Sequence, residues 1–216
     1  MAYTLPNGST MDLAATYDAT VTTTILTNAA PAVATAVGHG IVTGDIVLVT
    51  SGWSRLNNRA FRVGAVTVDT FELEGTDTTD TSVYPVGGGV GTAKAAATYV
   101  QINQITGVEF SGGEQAYLDV QFLESDSQVQ MPTTKSAISM TLTVADDPDL
   151  AYVPVVEDMD ETKQVQLLRL NLVNGNTILY PSIITVNATP TVNINELLTR
   201  SISAAVQGKP TRFVRT

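Results

Sequence analysis

The chain has 216 residues, 44% of them hydrophobic but only 15% charged, with a net charge of −10. That length supplies a sizeable core, for one large or two small domains. The absence of cysteine excludes disulfides, thiolate metal sites and cysteine nucleophiles, and the acidic balance argues against a protein that grips nucleic-acid phosphates as a whole.

Thr, Val and Ile fill 69 positions, and branching at Cβ suits a pleated surface better than a helix, so a β-rich fold is expected. A surface this poor in charge suits coverage by partner subunits. There is no apolar run of about 18 residues to span a membrane. The opening Met-Ala-Tyr-Thr-Leu-Pro-Asn-Gly-Ser lacks the basic patch and apolar stretch of a secretory leader, so a chain made and kept in a cytoplasm is expected.

In chain order, residues 1–13 read as a polar arm, and a strand is expected around Ala19–Thr27. Residues 30–94 read as a small all-β block between Ala/Gly-rich joints at Ala29–Ala36 and Gly87–Ala97. Inside it, Ile41–Val49 reads as two strand pieces around Gly44-Asp45. A hairpin with apolar residues on one face joins Phe61–Val68 to Phe71–Glu74. Further on, Leu118, Val120 and Phe122 alternate with Tyr117, Asp119 and Gln121, a strand-like period. A polar loop follows at Glu124–Lys135, then the cleanly alternating strand Ile138–Val144.

One helix is expected, over about 146–162, with Asp146-Asp147-Pro148-Asp149 as its cap and first turn and Leu150, Val153, Val156 and Met159 as its buried stripe. Pro154 should shorten or kink it. Strands are expected again at Val165–Val173 and Thr177–Tyr180, joined by a type I′ turn at Asn174-Gly175, then at Ile183–Ala188, Thr191–Ile194 and through Leu198–Val206.

Charge is unevenly placed. Asp146–Glu161 holds seven of the 21 acids, whereas Leu197–Thr216 holds none and carries Arg200, Lys209, Arg212 and Arg215. Opposite poles on one subunit suit head-to-tail contact between copies; a solvated acidic helix and a basic tail would give the same counts.

Catalytic chemistry finds little to work with. His39 is the sole histidine, so no histidine pair can hold a metal, and a turn role is the expectation for Gly38-His39-Gly40. Gly87–Gly91 lacks the Gly-Lys-Ser/Thr of a phosphate loop. Asp77, Asp80 and Asp146–Asp149 lack the ligand spacing of a calcium loop. No enzyme activity, cofactor or metal is expected. Arg55, Arg59 and Arg62 with Trp53 and Phe61 form a small basic-aromatic cluster, which suits either a nucleic-acid contact or, as expected, arginine stems lying over the surface.

Two stretches carry a family resemblance. The segments Gly38-His39-Gly40, Thr43-Gly44-Asp45-Ile46-Val47-Leu48-Val49, Asn58-Arg59, Phe61-Arg62-Val63 and Thr70–Asp77 resemble a small β-module of bacteriophage tail proteins. The loop-and-strand stretch leading into Asp146-Asp147-Pro148-Asp149, the Asn174-Gly175 hairpin and the Gly208-Lys209-Pro210-Thr211-Arg212 tail resemble the major tail tube proteins of long-tailed phages. The resemblance implies a mainly β fold, a tail-tube-type β-sandwich or barrel with one flanking helix plus the small module. Residues 1–29 would be an arm and first strand of the tube domain, 30–94 a module on the tube exterior, and 95–216 the main tube domain.

It further implies hexameric rings stacked head to tail into a genome conduit in the virion tail, assembled in the host cytoplasm. Partners would be other copies, the tape measure and tail terminator proteins, and viral DNA passing without tight binding through an acidic lumen. Glu124, Ser125, Asp126, Gln128, Gln130 and Lys135 become candidates for an inter-ring loop, and Arg200, Lys209, Arg212 and Arg215 for a basic subunit contact. The alternative is a tail-fibre or decoration protein that binds a host glycan or the capsid through Trp53, Arg55 and Phe61.

Overall fold

The computed structural model describes residues 7–192 and 194–214. It is built from antiparallel strands with one helix, as expected of a mainly β chain. The first strand, β1 (Thr10–Tyr17), lies where a polar arm was expected. Met11, Asp12, Leu13 and Ala14 are all buried, so both faces are covered and the two-residue period that would have betrayed a strand is missing.

The expected strand at Ala19–Thr27 is two short pieces, β2 (Val21–Thr23) and β3 (Ile25–Leu26). Next come β4 (Ala32–Thr35), β5 (Ile46–Ser51), β6 (Arg59–Val66) and β7 (Thr70–Leu73). The β6–β7 hairpin is the expected one. Ile41-Val42 forms no strand: Gly44 sits at φ +94°, and the Asp45 carboxylate accepts the Val42 N–H in a tight turn instead.

The expected Gly/Ala joint is mostly a strand, β8 (Gly91–Ile102). One side of β8 is flanked by β1 and then β2, and its first half pairs β5 on the other side. Ala is a poor strand former, so tertiary pairing and not propensity holds this segment extended.

Then follow β9 (Ile105–Ser111), β10 (Gln115–Val120), β11 (Val129–Lys135) and β12 (Ile138–Ala145). The helix α1 (Val153–Thr162) starts later than expected. Pro154 lies in its first turn, where a missing N–H costs nothing, so it opens the helix and does not kink it. Tyr152 occupies the N-cap position without a side-chain cap bond; Asp146 and Asp147 are irregular, and the chain turns from Pro148 to Tyr152. Val156 and Met159 are its buried residues.

β13 (Val165–Asn171) and β14 (Thr177–Val186) form the next hairpin. Its turn is not type I′, because only Gly175 has positive φ, at +82°. The Gly175 N–H donates to Leu172 O and the Leu172 N–H to Asn176 O, a type I turn closed by a glycine bulge. β14 joins two segments expected to be separate, running straight through Pro181. Thr191 makes only an isolated bridge to Thr199. β15 (Thr199–Val206) and β16 (Thr211–Phe213) close the chain.

The main sheet has the order β3-β4-β7-β6-β5-β8-β1-β13-β14-β15-β12-β9, with β16 beside β14 and β2 beside β8. Two large apolar clusters sit along it. One gathers Leu26, Trp53, Leu56, Phe61, Phe71 and Leu73; the other gathers Met11, Leu13, Met140, Leu142, Leu168 and Ile184 with Tyr152, Val156 and Met159 of the helix region. A third, smaller cluster lies between them: Ala14, Leu48, Ala60, Leu167, Leu179 and Phe213, with Tyr17 and Tyr99 packed against it.

Polar groups are tied into this seam. The Tyr17 hydroxyl accepts the Leu167 N–H at 2.8 Å, and the Lys94 ammonium lies over the Tyr17 ring. Burial raises the Tyr17 hydroxyl well above the ordinary tyrosine range and pushes Tyr99 up to about 12. Between about pH 10 and these raised values the unfolded chain ionises Tyr17 and Tyr99 while the folded one keeps both protonated. The folded state therefore binds more protons, and stability must fall as pH rises through that window. Tyr17→Phe is expected to remove part of this alkaline slope, seen in urea melts at a series of pH values. At neutral pH it should cost about 1–3 kcal/mol, because the buried Leu167 N–H loses its acceptor.

The C-terminal segment closes against the same seam. A Cβ on Gly208 would overlap the Asn58 carbonyl, which is backbone and cannot swing away. Gly208→Ala is expected to destabilise by about 1–3 kcal/mol through overpacking, read as a lowered Tm.

Candidate assembly surface

β10 and β11 make a two-stranded sheet of their own. Their register sets Leu118 opposite Met131 and Val120 opposite Val129 on one face. Tyr117, Asp119, Gln130 and Pro132 take the other. The alternating segment is a strand, yet its apolar residues are not core: Leu118 is 57% exposed, Phe122 57% and Met131 54%. The alternation was real, but it marks a face that nothing in this subunit covers.

The expected polar loop Glu124–Lys135 is corrected in the same way. Only the turn around Glu124–Gln128 is loop, and Val129–Lys135 is strand β11, because Val129, Met131 and Thr133 alternate with Gln128, Gln130 and Pro132. Glu124, Ser125, Asp126 and Gln128 cluster at the hairpin tip. Gln130 lies in the strand, and Lys135 is at the hairpin base, about 20 Å from the tip at strand rise.

Lys135 there borders a cleft of about 860 Å³ with Arg55, Arg59, Tyr84 and Lys209. Arg59 is half-buried. Its guanidinium lies over the Phe61 ring and donates to Arg55 O and Thr211 Oγ1, both at 3.4 Å, while its Nε has no partner. Burial lowers its pKa.

Trp53 and Phe61 are 3% and 0% exposed. The Trp53 indole N–H donates to Pro85 O at 2.9 Å and its ring meets Tyr84 edge-on. Both are core of the 30–94 block and present no face to a ligand, so of the expected trio only Arg55 is on the surface.

The basic C-terminal set also separates. Arg200 points to the acidic end, its Nε 3.5 Å from Asp146 and its Nη2 3.5 Å from Glu157. Lys209 borders the basic cleft, Arg212 is exposed on β16, and Arg215 lies outside the described residues. Elsewhere, Asp12 accepts from Arg169 at 2.7 Å and Asn171 at 2.7 Å, and Arg62 is bound to Glu74. Among the described residues, no group of three or more acidic or histidine side chains is arranged to hold a metal, and no helix is long and apolar enough to cross a membrane.

The β10–β11 hairpin thus forms a sheet of its own with one apolar face, and charge is gathered at separate places. The family described as phage tail tube protein matches residues 51–215. The chain belongs to the phage tail tube protein family. It is a structural protein of the tail tube, and its place is the virion tail. The match begins at residue 51, inside the 30–94 block.

No curated protein sequence matches this tail tube protein. Among solved structures, it is similar to a chain in the virion of a native gene transfer agent particle, at 12% identity and TM-score 0.41, covering 54% of this chain and 89% of that one. A chain in the tail of an empty gene transfer agent particle gives 12% and 0.42, covering 54% and 87%. One in the anti-feeding prophage baseplate gives 11% and 0.40, covering 55% and 85%.

The hairpin's apolar face escaped sequence reading because alternation reports a covered face without saying what covers it. Arg200 escaped because its carboxylate partners come from other elements. Arg200→Ala, which strips the counter-charge from the partly buried Asp146, is expected to cost about 1–3 kcal/mol in denaturant melts, whereas Lys209→Ala, exposed at the cleft, should leave stability within about 0.5 kcal/mol of wild type.

Proposed function

We propose that this subunit forms rings of six copies, the number its family resemblance implies, and that the rings stack head to tail into a conduit for the phage genome. Its task is mechanical, with no enzymatic step. Tape measure and tail terminator proteins would meet the tube along its lumen and at its end. DNA would pass a lumen of acidic subunits, repelled from the wall instead of held. Residues 30–94 form a module on the exterior of this tube, with 95–216 as its main tube domain.

The observation that carries the reading is the β10–β11 hairpin. A lone two-stranded hairpin is marginal in water, and this one bares Leu118, Phe122, Val129 and Met131 on one face. A contiguous apolar face of this kind marks a protein interface. A neighbouring copy is the cover that a self-assembling tube provides. The tip residues Glu124, Ser125, Asp126 and Gln128 then reach the next ring.

Leu118→Asp with Met131→Asp tests this. The double variant is expected to keep the wild-type Tm, since both side chains are exposed in the subunit, yet to form no rings or tubes in negative-stain images where wild type does. Tubes from the double variant would remove the hairpin from the interface. A wild type that stays monomeric at high concentration would sink the ring proposal itself.

A further inference from the structure

The described ion pairs of the subunit engage Arg62, Arg169 and Arg200. None engages a cation of the cleft at the hairpin base, where Arg55, Arg59, Lys135 and Lys209 converge. Asp80 feels Arg55 only weakly: its carboxyl is held low first by the Ser82 hydroxyl and amide, with Arg55 a smaller contributor. In a chain of net charge −10, four cations lining one cleft, none of them in an ion pair among the described residues, are a charge the subunit leaves open. Arg59 is also half-buried with a free Nε, and a buried charge is costly until a counter-charge reaches it.

The counter-charge lies at the other end of the same strands. Ile138, at the start of β12, borders the cleft, and its register partner is Val206 at the end of β15. At the far end of this pair, Ala145 faces Thr199 and leads into Asp146-Asp147 and α1. Seven strand steps separate the two poles by about 24 Å. That far pole exposes Asp149, Glu157, Asp158 and Glu161, against Lys163 at the helix end and Arg200 beneath. A basic cleft and an acidic knob at opposite ends of one strand pair are complementary in the way a heterologous, head-to-tail contact requires.

We propose that the cleft of Arg55, Arg59, Lys135 and Lys209 receives the acidic turn and helix of a second copy stacked along the β12–β15 axis. The proposal rests on the ring-stacking reading above and gives it a polarity and a set of contacts. It also assigns the 30–94 module a role in stacking, because Arg55 and Arg59 belong to it whereas Lys135 and Lys209 do not.

Two charge-reversed proteins test it. One carries Arg55→Glu, Lys135→Glu and Lys209→Glu; the other carries Asp149→Lys, Asp158→Lys and Glu161→Lys. These positions are exposed, so each protein should keep the wild-type Tm. Each alone is expected to give rings but to need about tenfold or more protein to form tubes at physiological salt. An equal mixture should recover tubes, because the acidic cleft of one accepts the basic knob of the other.

Tubes from either variant at the wild-type concentration, or a mixture no better than its parts, would overturn the contact. So would a mobility shift of DNA by wild type that the cleft variant loses, which would assign the cleft to phosphate. If wild type forms neither rings nor tubes, the ring reading fails first. If wild type and both variants all form tubes, only this contact fails.

Discussion

The fold depends on one strand that has no propensity to be one. β8 carries Ala93, Ala95 and Ala96 where a strand would ordinarily hold branched residues, yet it joins the two large cores by pairing β2 and β5 along its first half and β1 along its second. Small side chains are what the position requires. Ala93 and Ala95 fit within the first large core while Ala96 lies against the seam of Leu48, Leu167, Leu179 and Phe213, and bulk at these positions would overpack both. The Tyr17 hydroxyl bond to Leu167 and the ion pair of Arg169 with Asp12 stiffen the same junction.

This explains which parts were legible in sequence. The β6–β7 hairpin and β12 read correctly because each has one wet face, so alternation shows. β1 was missed because its neighbours cover both faces, and β8 because its alanines hide a strand that only pairing with β1, β2 and β5 holds extended; neighbours are not written locally. The helix was found but set too early, since Asp146–Asp149 look like a cap. In the fold that stretch turns, and the helix waits for Pro154.

For the candidate contacts the lesson runs differently. Aromatic residues near arginines suggested a surface, but Trp53 and Phe61 fill the module core, as most large aromatics do. The hairpin taught the reverse: Leu118 and Met131 carry a core pattern on an exposed face. An apolar pattern states that a face will be buried in the working state, which for an assembling subunit includes its neighbours. A low charge content is what such a subunit needs, because charge on a face that neighbours cover would have to be desolvated.

Pro181 sits in the middle of β14, with no N–H to offer a ladder. It does no harm there. β16 pairs β14 at Thr177–Leu179 and β15 takes over at Ser182, so the proline falls in the gap between partners. A two-residue slip of β14 would keep every side chain on its proper face and is the error a sheet of this kind can least detect. Here it would carry the proline into a hydrogen-bonded position. Pro181 therefore penalises the slipped registers and marks the one alignment of β14 in which a missing N–H costs no ladder bond.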